Sequence, residues 1–220
     1  MFQRSSFYKW FNFMILFFLS TLWLCAADPL STDKAEALRK RFEAHQQGTR
    51  FWSADFTQTL SAPGLKAPIV SEGRIFYHAP DALRIDFEKP AGDFMLALGS
   101  ALFVQKSNKG VVRKSIETDT VGKPLLGLLG MLRGRPTEEA EQFNFQVSRQ
   151  ADVYEIELTK KQGAPAHMPK KILNSIVVDT LEVKNVTVIL PNGAALNYAF
   201  RSSVRNRPLA ASFFEPPEIR

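Results

Sequence analysis

The stretch Leu83-Arg84-Ile85-Asp86-Phe87-Glu88-Lys89-Pro90 alternates apolar and charged residues without interruption. In an extended chain successive side chains point to opposite faces, so Leu83, Ile85 and Phe87 make a greasy face and Arg84, Asp86 and Glu88 a wet one. The pattern recurs along most of the chain. Trp52, Ala54, Phe56 and Leu60 alternate with Ser53, Asp55, Thr57 and Thr59; Phe143, Phe145 and Val147 share a side, as do Tyr154, Ile156 and Leu158, and Leu196, Tyr198 and Phe200. Further short strands are expected at Val70–Ala79, Phe94–Leu98, Ala101–Lys106, Val111–Ile116, Lys171–Asp179 and Leu181–Leu190. Pro80-Asp81, Gly99-Ser100, Asn108-Lys109-Gly110 and Pro191-Asn192-Gly193 supply the turns, so ten or eleven antiparallel strands should run as a meander. Each strand has a single apolar face to cover. Two sheets packed face to face would do it. One curved sheet would instead present a continuous apolar concavity, with helices lying across it.

Only two segments read as helical. Pro29–Gly48 carries Ala35, Leu38, Phe42 and His45 on one stripe with charge opposite, a capping box at Asp33/Glu36, and Gly48 as its stop. The second, Val121–Pro136, contains Leu125, Leu126, Leu128, Leu129, Met131 and Leu132 and leaves almost no polar face. A helix apolar all round is buried on every side or meets something apolar outside its own fold. Gly127 and Gly130 each cost about 0.5–1 kcal/mol relative to Ala inside a helix. The segment is therefore either a close-packed core helix or a loosely held lid over an apolar cavity. Thr137–Phe143 could add a further helical turn, and the proline-broken tail from Asn206 is expected to end on the surface.

The first 27 residues are expected to be a signal peptide. Arg4 and Lys9 precede a 14-residue apolar run, and Cys25 and Ala27 are the small residues of a cleavage site after Ala27. The run is short of the roughly 20 residues a membrane span needs. Bulky Trp23 and Leu24 disfavour lipidation at Cys25. Residues 28–220, all without cysteine, then form one domain held by its core alone, with the formal charge reduced from +6 to +4 by loss of Arg4 and Lys9. Those charges are diffuse, so nucleic-acid binding is not expected. Catalytic and metal signatures are missing. Ser31-Thr32-Asp33-Lys34 matches a serine–lysine pattern only formally and sits at a helix start, where Ser and Thr serve as caps. His45, His78 and His167 have no ligand spacing. Neither an enzyme nor a cofactor is expected.

The run from Trp52 to Gln58, Trp-Ser-Ala-Asp-Phe-Thr-Gln, resembles the F-x-A-x-F-T-Q strand that opens the LolA family of periplasmic outer-membrane lipoprotein carriers. Gly73 to Pro90 follows the family's strand–turn–strand order, and Leu98 to Gln105 matches its D-G-x-x-L-W-x-Y hairpin. Lys123-Pro124-Leu125-Leu126 matches its T-P-hydrophobic lid segment, and Phe213-Phe214-Glu215-Pro216-Pro217 fits its tail. Two positions depart from it: Ala79 stands where the family has the arginine before the turn proline, and Leu98 replaces the aspartate before Gly99. The resemblance implies a mainly β, α+β fold, a half-open barrel of one curved antiparallel sheet with helices as a lid over an apolar cavity. It implies a monomeric periplasmic carrier that shields the acyl chains of lipoproteins or a related lipid. An inner-membrane release complex and an outer-membrane acceptor would be its partners. The expected lipid-binding residues are Trp52, Phe56, Leu83, Ile85, Phe87, Phe103, Leu125, Leu128, Leu129, Leu132, Leu196, Tyr198 and Phe200. An envelope sensor or interaction protein on the same scaffold is the other reading.

Overall fold

The computed structural model describes residues 28–106, 109–119, 122–133, 141–166 and 168–216. The expected signal peptide with Cys25, residue His167 and the core of the expected turn at Thr137–Phe143 lie outside the described residues. Twelve strands form one sheet: β1 Asp28–Pro29, β2 Phe51–Ser61, β3 Ile69–His78, β4 Ala82–Lys89, β5 Phe94–Leu98, β6 Ala101–Gln105, β7 Val112–Ser115, β8 Phe143–Gln150, β9 Val153–Lys160, β10 Lys171–Val177, β11 Val183–Ile189 and β12 Ala195–Arg205. Their spatial order is β1-β8-β9-β10-β11-β12-β2-β3-β4-β5-β6-β7, and every described pairing is antiparallel. Two meanders are thus stitched together where β12 meets β2. β1 and β7 remain edges, so the sheet is curved and unclosed. Short hairpins account for the order within each meander, and two longer connections, from β1 to β2 and from β7 to β8, join strands that are not neighbours.

Two helices lie on one face of this sheet, its inner face. Helix α1, Thr32–Gln47, buries Ala35 and Leu38 against Val147, Ile156, Ile176 and Leu181. Helix α2, Gly122–Arg133, sits over the other half. The start of α1 differs from expectation. Ser31 is the N-cap but makes no side-chain cap bond, and Asp33 lies inside the first turn. Glu36 accepts from Arg39 at 2.8 Å, so the carboxylate that would complete a capping box is engaged one turn onward. Gly48 does end the helix, but in right-handed conformation, with its N–H donating to Ala44 O.

The C-terminal tail returns to the sheet before its last residues, 217–220, which lie outside the described residues. Ala211–Phe214 form a 3-10 turn against the outer face, where Phe214 is buried with Phe76, Leu96 and Phe103. Arg84, on the wet side of β4, holds this turn in place. Its guanidinium lies over the rings of Phe94 and Phe213 at 5.2 and 4.7 Å and donates to Phe213 O at 3.2 Å. The half of the sheet from β3 to β6 is therefore covered on both faces.

Candidate functional site

The inner face brings together twelve of the thirteen residues expected from the sequence. Trp52, Phe56, Leu83, Ile85, Tyr198 and Phe200 from the sheet and Leu125, Leu128, Leu129 and Leu132 from α2 belong to one buried cluster, with Phe87 and Leu196 half-buried at its margin. Phe103 is the exception. It packs on the outer face with Phe76 and Phe214, and its neighbours Leu102 and Val104 face the inner cluster instead. The reason is local. Ala101-Leu102-Phe103-Val104 is apolar throughout, because both faces of β6 are covered, and a strand without alternation gives no sign of which side is inner.

Helix α2 fills the concavity. Its four inward leucines are between 0% and 3% exposed. The aromatic floor beneath is continuous: Trp52 meets Phe200 edge-on at 5.4 Å, Phe56 meets Phe87 edge-on at 5.6 Å, and Tyr198 stacks on Phe200 at 6.3 Å. Burial in this apolar wall pushes the Tyr198 phenol up to about 12. The floor thus carries no charge at neutral pH, which suits it to hydrocarbon.

The helix is fastened at both ends. At its start, Asp119 Oδ1 accepts from Gly122 N at 3.3 Å while Lys114 holds the other carboxylate oxygen at 2.7 Å. At its end, Arg133 Nε donates to Pro80 O at 2.7 Å, in the β3–β4 turn beside Ala79. Tyr77 OH reaches the same carbonyl at 3.4 Å. An arginine–carbonyl contact thus joins the end of the helix to the turn next to Ala79. Sequence reasoning missed this contact because the partners are 53 positions apart.

Burial on the inner face falls off away from α2. Along β2, Trp52, Ala54 and Phe56 are buried, whereas Gln58 and Leu60 are half-buried. The strand registers place Phe145, Leu158, Ile172, Val188, Leu196, Leu60 and Ile69 opposite one another in a belt across seven strands. Its two ends, Phe145 and Ile69, are 41% and 51% exposed. The next row holds Asn174, buried between Ile156 and Val186, with its Oδ1 lacking a hydrogen-bond partner.

The remaining polar residues read as scaffold. His45 is held below the usual histidine range, first by burial and then by the Arg205 charge. Arg205 donates to His45 O at 3.3 Å and to the Thr49 hydroxyl, tying the end of α1 to β12. His78 stacks on Phe51 at 4.6 Å. Among the described residues no three His, Cys, Asp or Glu side chains gather in metal-binding geometry, and no helix is long and apolar enough to cross a membrane. A groove of about 860 Å³ between the start of α1 and β8 has a mixed lining that includes Asp28, Lys34, Arg41, Arg149 and Tyr154.

The sequence pattern of the family described as outer membrane lipoprotein carrier protein LolA matches residues 47–217. Among curated proteins none matches by sequence. Solved structures share the fold at low identity. MucB is 11% identical over 85% of this chain with a TM-score of 0.52, and this chain spans 64% of MucB. A conserved protein from Thermus thermophilus is 11% identical over 84% of this chain and 95% of its own, with a TM-score of 0.51. A LolA superfamily protein from Nitrosomonas europaea is 12% identical over 83% of this chain and 97% of its own, with a TM-score of 0.45.

Proposed function

The chain belongs to the family of the outer membrane lipoprotein carrier protein LolA, and from that premise we propose that it is an envelope carrier of acyl chains. It acts in the periplasm, entering with a signal peptide cut after Ala27, and takes the acyl chains of lipoproteins or a related lipid against the inner face of its sheet. The observation that supports this reading is an uncharged aromatic floor covered by an apolar helix, α2, whose leucines are buried against it.

The physics is exchange. Each methylene removed from water contributes about 0.8 kcal/mol, so a free acyl chain crosses an aqueous space only inside a protein or membrane. The leucines of α2 occupy the floor when cargo is absent. An acyl chain replaces them with contacts of the same kind, so loading needs no chemical step and no cofactor. An inner-membrane release complex and an outer-membrane acceptor are the partners such a cycle requires.

A form beginning at Asp28 offers a direct test, since Trp52 is then its only tryptophan. Titration with dibrominated stearic acid should quench Trp52 saturably, because the bromines come to rest on the floor. Absence of quenching with a folded sheet overturns the carrier reading. The second reading is an envelope sensor that binds lipid or protein and signals through a partner; Pseudomonas aeruginosa MucB, which shares the fold, has been crystallised with MucA. Capture of a membrane protein in place of acylated cargo from native periplasm would favour it.

A further inference from the structure

Three neighbouring hairpin tips form one rim of the sheet: residues 161–170 between β9 and β10, 190–194 between β11 and β12, and 62–68 between β2 and β3. They are continuous. A side chain added at Gly193 would stand 3.3 Å from Pro63 Cγ, so the last two tips touch. Along β2 burial on the inner face declines toward this rim, and the apolar belt ending at Ile69 lies directly below it.

The rim combines two properties that rarely coexist on a solvated edge. It is apolar: Leu65, Ile69 and Val70 are 42%, 51% and 54% exposed, and Ala67 and Pro68 between them are exposed as well. Large apolar side chains grouped on a surface mark a place where something apolar docks. It is also cationic without compensation in sequence. Segments 61–71, 160–171 and 189–195 contain Lys66, Lys160, Lys161, Lys170 and Lys171 and no Asp or Glu. Of these five lysines, Lys171 is bridged among the described residues, to Glu157 on β9 at 2.7 Å. Acids return on either side, with Glu141 before β8, where Lys161 N donates to Gln142 O at 2.8 Å, and with Glu88 and Asp93 at the next hairpin.

We propose that this rim is a docking surface for an anionic lipid bilayer, with Leu65, Ile69 and Val70 entering the headgroup region and the lysines meeting lipid phosphates. The proposal rests on the carrier reading and adds the route: an acyl chain leaving or entering the membrane meets the apolar belt first and reaches the aromatic floor beneath α2 afterwards. Apolar side chains flanked by lysines fit a bilayer interface, where hydrocarbon lies under a layer of phosphate. A protein partner of matching shape would need acidic groups facing the same lysines, and is the competing outcome.

Flotation of the form beginning at Asp28 with vesicles of phosphatidylethanolamine and phosphatidylglycerol, and with vesicles of phosphatidylcholine, tests this. The protein should float with the anionic vesicles, less with the neutral ones, and less again as salt rises. Leu65→Asp should weaken binding about ten-fold, and Lys66→Glu with Lys161→Glu and Lys170→Glu should abolish the preference for anionic lipid. Both variants should still show Trp52 quenching by dibrominated stearic acid from solution, since none of these residues belongs to the aromatic floor or to α2. Wild-type protein that is quenched but fails to float, or Leu65→Asp that floats undiminished, overturns the membrane rim and leaves the surface to a protein partner. Loss of quenching in the wild type strikes the carrier reading instead, and flotation still decides the rim.

Discussion

Replacing Leu129 with alanine separates a lid from a core helix. Leu129 is fully buried under α2, in contact with the aromatic floor. Deleting a buried leucine side chain costs about 2–5 kcal/mol when the surroundings cannot collapse. If α2 were a fixed part of the core, that whole loss would appear in global unfolding. If α2 is a lid, the loss falls on its docking equilibrium alone. A loss of about 2 kcal/mol shifts the closed–open ratio about 30-fold. The closed state competes with cargo, so opening it raises the apparent affinity for an acyl chain, with that factor as the upper bound. Fatty-acid titration and urea unfolding of the Leu129→Ala protein read the two quantities separately. Tighter binding with a loss of global stability below about 2 kcal/mol, the low end for a buried leucine, supports the lid. Weaker binding with the full loss of a core leucine refutes the reasoning.

Three further substitutions probe the same helix and its floor. Arg133→Ala removes the bond to Pro80 O and should speed hydrogen exchange at the end of α2, corresponding to about 0.5–1.5 kcal/mol. Gly127 is exposed, and an added methyl group there meets nothing within 4 Å, so Gly127→Ala should favour the helix by about 0.5–1 kcal/mol and slow acyl-chain uptake in stopped-flow quenching. Asn174→Leu removes a buried acceptor without a partner and should raise the urea midpoint, by about 1 kcal/mol or slightly more in stability.

Much of the fold was legible because strand alternation and turn residues agreed. Strands β4 and β5 begin and end where the sequence places them, bounded by Pro80-Asp81, Pro90 and Gly99. The inner face was legible for the same reason, wherever a strand alternates. What failed to show was whatever depended on distant residues. Phe103 could not be assigned to a face, because a turn more than a hundred residues later covers the outer side of β6. The burial of Phe214 has no local signal for the matching reason: its partner surface exists only once β3 to β6 are assembled. The link between Arg133 and Pro80 joins a helix end to a turn across the concavity, and no local pattern announces it. The rim was invisible for a different cause. Lys66 and Lys161 are far apart in sequence and come to one rim only through the order β9-β10-β11-β12-β2-β3.

Hydrogen exchange of residues 122–133, with and without bound fatty acid, bears most directly on whether the inner face is a container with a movable cover. In the empty protein α2 is buried and should exchange slowly. On loading, exchange in 122–133 should rise, while strands Phe51–Ser61 and Ala82–Lys89 stay protected. Slow exchange of 122–133 that does not change with lipid would make α2 a permanent core helix and contradict the carrier account.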